Sequence, residues 1–135
     1  MMNFTKGSLG ICFSLLLLAG CSSSDVEITS YKESGVNEDF PVPSKAKVSE
    51  VQFNNPHIKK GEKYTLRNIG GKQGLYPPAD YFEQISLEGW EELKEERMGH
   101  VHFFQKEDTV ISLVIKEDYF ELFEMKEGYF EEEME

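Results

Sequence analysis

The polar tripeptide Lys106-Glu107-Asp108 and its repeat Lys116-Glu117-Asp118 constrain this chain more than any other feature. They cut the C-terminal third into three apolar, β-rich runs: Val101 to Gln105, Val110 to Ile115 and Tyr119 to Met125. Breaks this short join strands that turn straight back, so the three runs predict an antiparallel meander. Ile111, Leu113 and Ile115 fall on one face by the two-residue period, and that face should meet a helix.

One helix is available to meet it. Pro77 and Pro78 suit a helix start, where a missing N–H costs little. Tyr81, Phe82 and Ile85 then follow at helical spacing as one apolar stripe, and Gly89 suits the position past the last turn, which predicts a helix over 79–88. Trp90 should plug the gap between helix and sheet, with exposure as a stacking surface as the other reading. Upstream, Val51 and Phe53 alternate with polar residues in Ala46 to Phe53, which predicts a strand with one wet face. Asn54-Asn55-Pro56 marks a turn. A second strand is expected over Lys63 to Asn68 with Tyr64 and Leu66 inward. Gly70, Gly71 and Gly74 lack the strand–glycine–helix frame of a dinucleotide site and read as a flexible loop. Leu93 to Met98 is rich in helix formers yet suits a charged edge strand, and the strand is preferred. The fold class is α+β: a small antiparallel sheet of about five or six strands with one short helix packed on one face.

The N-terminus carries a different message. Lys6 is the only charged side chain before Cys21, and Ile11 to Leu18 is apolar apart from Ser14. A short basic region, an apolar run and small residues at a cleavage point describe a secretory signal, and the run is too short to span a bilayer. Leu18-Ala19-Gly20-Cys21 resembles the lipobox of bacterial lipoproteins. That resemblance implies removal of residues 1–20, a covalent diacylglycerol anchor on Cys21, and a place on the extracytoplasmic face of the cell membrane; no cofactor is expected. Two acyl chains anchor stably where one does not. Cys12 would leave with the leader.

Residues 21–40, rich in Ser, Asp, Glu and Gly, read as the lipidated cysteine and a flexible tether, to which Val26 and Ile28 can add an edge strand. Phe40-Pro41-Val42-Pro43 is locally stiff, so the α+β domain is expected over 41–127. Gly128 and Glu131-Glu132-Glu133 suggest that 128–135 is a solvated acidic tail. The whole chain carries 14 Lys+Arg against 25 Asp+Glu; losing Lys6 with the leader moves the net charge from −11 to −12. Such a chain is repelled by nucleic acid, by anionic lipid headgroups and by a wall polyanion, so none of these is an expected partner. With Cys21 lipidated no cysteine remains for a disulfide.

No chemistry stands out. No serine lies in a G-x-S-x-G frame, no cysteine is free to act as a nucleophile, and abundant carboxylates mark no particular pair, so the expectation is a protein that is not an enzyme. His100 and His102 are two apart on a predicted strand and can point the same way, with Glu95 or Glu96 nearby. They are the only candidate metal ligands, but two histidines on the wet face are the preferred reading, and no metal site is expected. His57 stands alone in a turn. Tyr76, Trp90, Tyr119 and Tyr129 are candidate contact aromatics, since interfaces favour rigid rings with polar tips.

Pro41-x-Pro43-x-x-Ala46, the helix ending Tyr81…Ile85…Gly89-Trp90, then Gly99 and Phe103 resemble small, uncharacterised extracytoplasmic α+β domains of bacterial lipoproteins. The Lys/Glu-rich, Ala-poor composition is similar to Firmicutes lipoproteins, which implies an anchor in the outer leaflet of the only membrane. The class implies no activity and no catalytic residues. The expected function is a membrane-anchored, protein-binding or accessory module of the cell envelope; a metal- or small-ligand-binding lipoprotein is the alternative.

Overall fold

A computed structural model describes residues 26–132. In chain order its elements are β1 (Tyr31–Glu33), β2 (Pro41–Pro43), β3 (Lys47–Ser49), β4 (Ile58–Thr65), α1 (Ala79–Leu87), β5 (Glu91–Glu92), β6 (Val101–Lys106), β7 (Thr109–Ile115), β8 (Tyr119–Met125) and α2 (Tyr129–Glu132). The three C-terminal runs form the predicted meander, β6 to β7 to β8. Around it a six-stranded antiparallel sheet is ordered β3-β4-β8-β7-β6-β5, and β1 pairs with β2 as a separate hairpin. The fold is α+β, with α1 packed on one face of the sheet.

That face is built as the alternation requires. Ile111, Leu113 and Ile115 of β7 join Phe120 and Leu122 of β8, Phe104 of β6 and Tyr64 of β4, and they meet Tyr81 and Ile85 of α1. Pro78 holds the extended conformation that opens the helix, and Asp80 lies in the first turn, where the helix dipole favours a carboxylate. Gly89 takes φ 94 just past the helix, a left-handed geometry that glycine adopts without strain. Trp90 is buried; its ring packs edge-on against Phe40, and its Nε1–H donates to the Asp39 carbonyl at 2.9 Å.

The tether reading fails for its second half. Ser34, Val36 and Phe40 are buried, β1 pairs with β2, and the Tyr81 hydroxyl donates to the Pro41 carbonyl at 2.9 Å. These residues look solvated in sequence because their apolar members are sparse, yet α1 and Trp90 supply their partners. The domain therefore begins before residue 41. Val26 and Ile28 form no strand; Ile28 instead packs on the core.

Four further expectations change. The first predicted strand shortens to β3, because Val51 and Phe53 leave the sheet plane and lie over its other face, where Phe53 meets Phe123 at 6.0 Å. The second starts earlier, at Ile58, and ends at Thr65. The glycine loop is packed: Gly70 N–H donates to the Glu117 carbonyl at 3.2 Å, and a Cβ on Gly70 would come within 2.2 Å of the Lys116 carbonyl oxygen. Leu93 to Met98 is not a strand; after β5 comes a single 3-10 turn, Lys94–Glu96. Leu93 N–H nevertheless donates to Phe103 at 2.8 Å, so the segment closes the edge of β6.

The supposed acidic tail begins with structure too. Tyr129 and Phe130 of α2 pack on Phe103, at 6.1 and 5.2 Å between ring centres, and help cover Val110, Phe123 and Met125 on the second sheet face. Among the described residues no helix is long and apolar enough to cross a membrane. The signal peptide and Cys21 lie outside the described residues.

Candidate functional site

The two edges of the sheet end differently. At the β5 edge two glutamates, Glu91 and Glu92, form the last strand, and the following turn closes β6 behind them. Charged residues on so short a strand discourage pairing with another chain. At the other edge β4 is eight residues long while β3 is three. The register pairs β3 with residues 63–65 alone, so residues 58–62 of β4 have β8 on one side and, among the described residues, no strand on the other. After Ser49 the chain bends away, which opens a groove of about 420 Å³ lined by residues 48–52 with Gly61 and Glu62.

This open edge is basic and partly apolar. Residues 45–63 hold five lysines against Glu50 and Glu62, in a chain whose net charge is −11. Lys47, Lys59 and Lys60 are exposed, and Lys63 sits with its ammonium 4.1 Å from the Tyr119 ring centre. Val48 is 56% exposed and Phe53 41%, both large for apolar side chains flanking a groove. The floor is fixed. The Tyr64 hydroxyl donates to Glu62 and accepts the Gly35 N–H at 3.1 Å, which ties β4 to the loop of the hairpin. Burial, and then that hydrogen bond to the Glu62 carboxylate, raises Tyr64 far above the usual phenol range.

The aromatics expected at an interface are scattered. Trp90 is buried in the core and is not a surface contact. Tyr76 is 48% exposed on the glycine loop, Tyr119 is half-buried beneath Lys63, and Tyr129 is half-buried against His57 and Phe103. Tyr119 lies opposite Thr65, at the end of β4 that β3 covers, and Tyr129 reaches His57 just before the start of β4, so none of the four lines the groove. Val48, Phe53 and the lysines were missed as site residues. The excess of lysine in an acidic chain was legible, but its position on an unpaired strand required the topology.

His100 and His102 separate in character. His102 is buried, with its ring edge-on to Phe82 at 4.9 Å and Nδ1 3.3 Å from Glu92 Oε1; the carboxylate that reaches it is neither Glu95 nor Glu96. Burial pushes the His102 pKa down, and the Glu92 carboxylate only partly offsets this. His100 is half-buried just ahead of β6, where its carbonyl accepts the Ile115 N–H at 3.1 Å. No group of three His, Cys, Asp or Glu side chains among the described residues is placed to hold a metal ion.

The geometry thus defines a small α+β domain with one closed, acidic sheet edge and one open, basic one. No family model matches the chain, and no curated protein or solved structure matches it.

Proposed function

We propose that this protein is a lipid-anchored, extracytoplasmic module without enzymatic activity, which binds another protein of the cell envelope by accepting an extended segment at the open edge of β4. The observation that carries the reading is that residues 58–62 have no second strand neighbour among the described residues and lie beside a groove of about 420 Å³. Strand addition draws its affinity from main-chain hydrogen bonds, and flanking side chains set the choice of partner. Lys47, Lys59 and Lys60 favour a segment with carboxylates, while Val48 and Phe53 offer apolar contact. The membrane placement rests on Leu18-Ala19-Gly20-Cys21 and the leader before it.

In-cell cross-linking of the full lipoprotein, followed by mass spectrometry and with Cys21→Ala as control, tests this. One dominant envelope protein, linked through residues 45–63 and lost in the control, is the expected result. Background capture alone would remove the binding reading.

A further inference from the structure

We infer that one end of the domain, where the loop of residues 70–78 meets the β7–β8 turn, is a lipid-contacting surface that seats the domain directly on the membrane. The inference rests on the anchor at Cys21 proposed above.

Chain length supplies the first argument. Residues 27–30 lie against Pro43, Lys45 and Leu66. Leu66 N–H donates to the Asp118 carbonyl at 3.0 Å, and Gly70 N–H to that of Glu117. The chain therefore joins the domain at the same end as the β7–β8 turn and the glycine loop. Ile28 is already packed on the core. The stretch from Cys21 to Val26 is five residues, which fully extended reach at most ~18 Å. A lipidated Cys21 thus keeps this end within that distance of the headgroups; the long tether expected from sequence would have lifted it clear.

The surface itself supplies the second. Leu75 is 56% exposed and Tyr76 48%, on a loop whose backbone is tied down. Tyr76 N–H donates to Gly70 at 2.7 Å, Gly74 N–H to Gly71 at 3.0 Å and Leu75 N–H to Lys72 at 3.3 Å. A fixed loop that holds Leu and Tyr outward has no place for them in its own core. Met98, 59% exposed, lies at this end as well, since its neighbour His100 is bonded to Ile115 at the end of β7. Tyr is suited to the headgroup level, and shallow apolar insertion adds to an existing anchor.

Charge is permissive here. Lys45, Arg67, Lys72 and Lys116 surround the loop. Glu27, Glu117 and Asp118 oppose them, and the Asp118 carboxylate is engaged by the Asn68 N–H at 2.9 Å. With Asp80 just past the loop, and Glu95 and Glu96 against Arg97 beside Met98, the balance is about neutral on a chain of net charge −11, so anionic lipid is repelled less here than by the chain as a whole.

The test uses the full acylated protein in vesicles of phosphatidylcholine and phosphatidylglycerol. With Cys12 lost and Cys21 acylated, Leu75→Cys offers a single free thiol for an environment-sensitive nitrobenzoxadiazole label. Leu87→Cys, at the opposite end of the domain where Lys106 Nζ donates to the Glu88 carbonyl, is the reference. The expected result is a blue shift and brighter emission at position 75 on vesicles, with position 87 unchanged from water. Protein that floats with the vesicles while both labels stay water-like overturns the inference and leaves the anchor standing. Protein that fails to float, like Cys21→Ala, removes the anchor reading and this inference with it. A shift at position 75 that appears only when envelope proteins are present in the vesicles assigns the surface to a protein and overturns it equally.

Discussion

The ring of Phe123 lies across Gly61, so close that a Cβ on Gly61 would come within 2.6 Å of the ring carbon Cδ1 and 3.2 Å of Phe53. Gly61 is therefore a packing residue: its bare Cα lets Phe53 and Phe123 meet over the sheet. Gly61→Ala should cost about 1–3 kcal/mol, the range for overpacking, because Phe123 is buried and cannot swing clear. Thermal unfolding checks this as a fall in Tm of several degrees; an unchanged Tm would mean the ring is not confined.

The hairpin of β1 and β2 belongs to the core. Phe40 is fully buried against Trp90 and Phe104, so Phe40→Ala should cost about 3–5 kcal/mol. Tyr81→Phe leaves the Pro41 carbonyl without its buried donor, a loss of about 1–3 kcal/mol. Urea denaturation followed by Trp90 fluorescence reads both. A chain begun at Pro41 should be less stable than one begun at Val26; equal midpoints would restore the tether reading.

His102 makes stability depend on pH. Burial lowers its pKa from the ordinary 6.5. As pH falls through that value, the unfolded chain takes up a proton that the folded protein resists, so stability drops and continues to drop until the folded pKa is reached. His102→Gln should flatten this part of the curve. Denaturation midpoints measured between about pH 8 and about pH 5 would test it, in the range where histidine titrates. Parallel curves for the two proteins would show that His102 is not held neutral by the fold.

The C-terminal aromatics should matter as much as a core residue. Ending the chain after Gly128 removes Tyr129 and Phe130 and bares Phe103, which is 2% exposed in the intact protein. The expected loss is roughly 2–4 kcal/mol from apolar burial and ring contacts together. A truncated chain as stable as the full one would return these residues to the solvated tail.

What the sequence revealed follows from which forces are local. The meander and α1 were legible because alternation in Ile111, Leu113 and Ile115, and helical spacing in Tyr81 and Ile85, are properties of neighbouring residues. Ser34, Val36 and Phe40 were not, because their burial is decided by residues some fifty positions away, as in the Trp90 bond to Asp39. Leu93 to Met98 failed for a related reason: it follows the edge of β6 through Leu93 and Met98 without pairing as a regular strand. At the candidate site, the lysines were visible, but the unequal lengths of β3 and β4 that expose the edge are a matter of register.

The basic edge gives the sharpest separation of binding from folding. Lys59 Nζ lies 3.9 Å from Glu124 Oε1 and the lysine side chain is 65% exposed, a pair that contributes at most about 1 kcal/mol at the surface. Lys60 is exposed beside it. The double variant Lys59→Glu with Lys60→Glu should therefore keep its Tm within a few degrees while capture of the envelope partner falls. Capture by the unmodified protein should also weaken as salt rises, because exposed charges are screened over about 8–10 Å at physiological ionic strength. Cross-linking yields compared at matched expression decide the matter: a charge-reversed edge that captures its partner as before would mean that the open side of β4 is not where the partner docks.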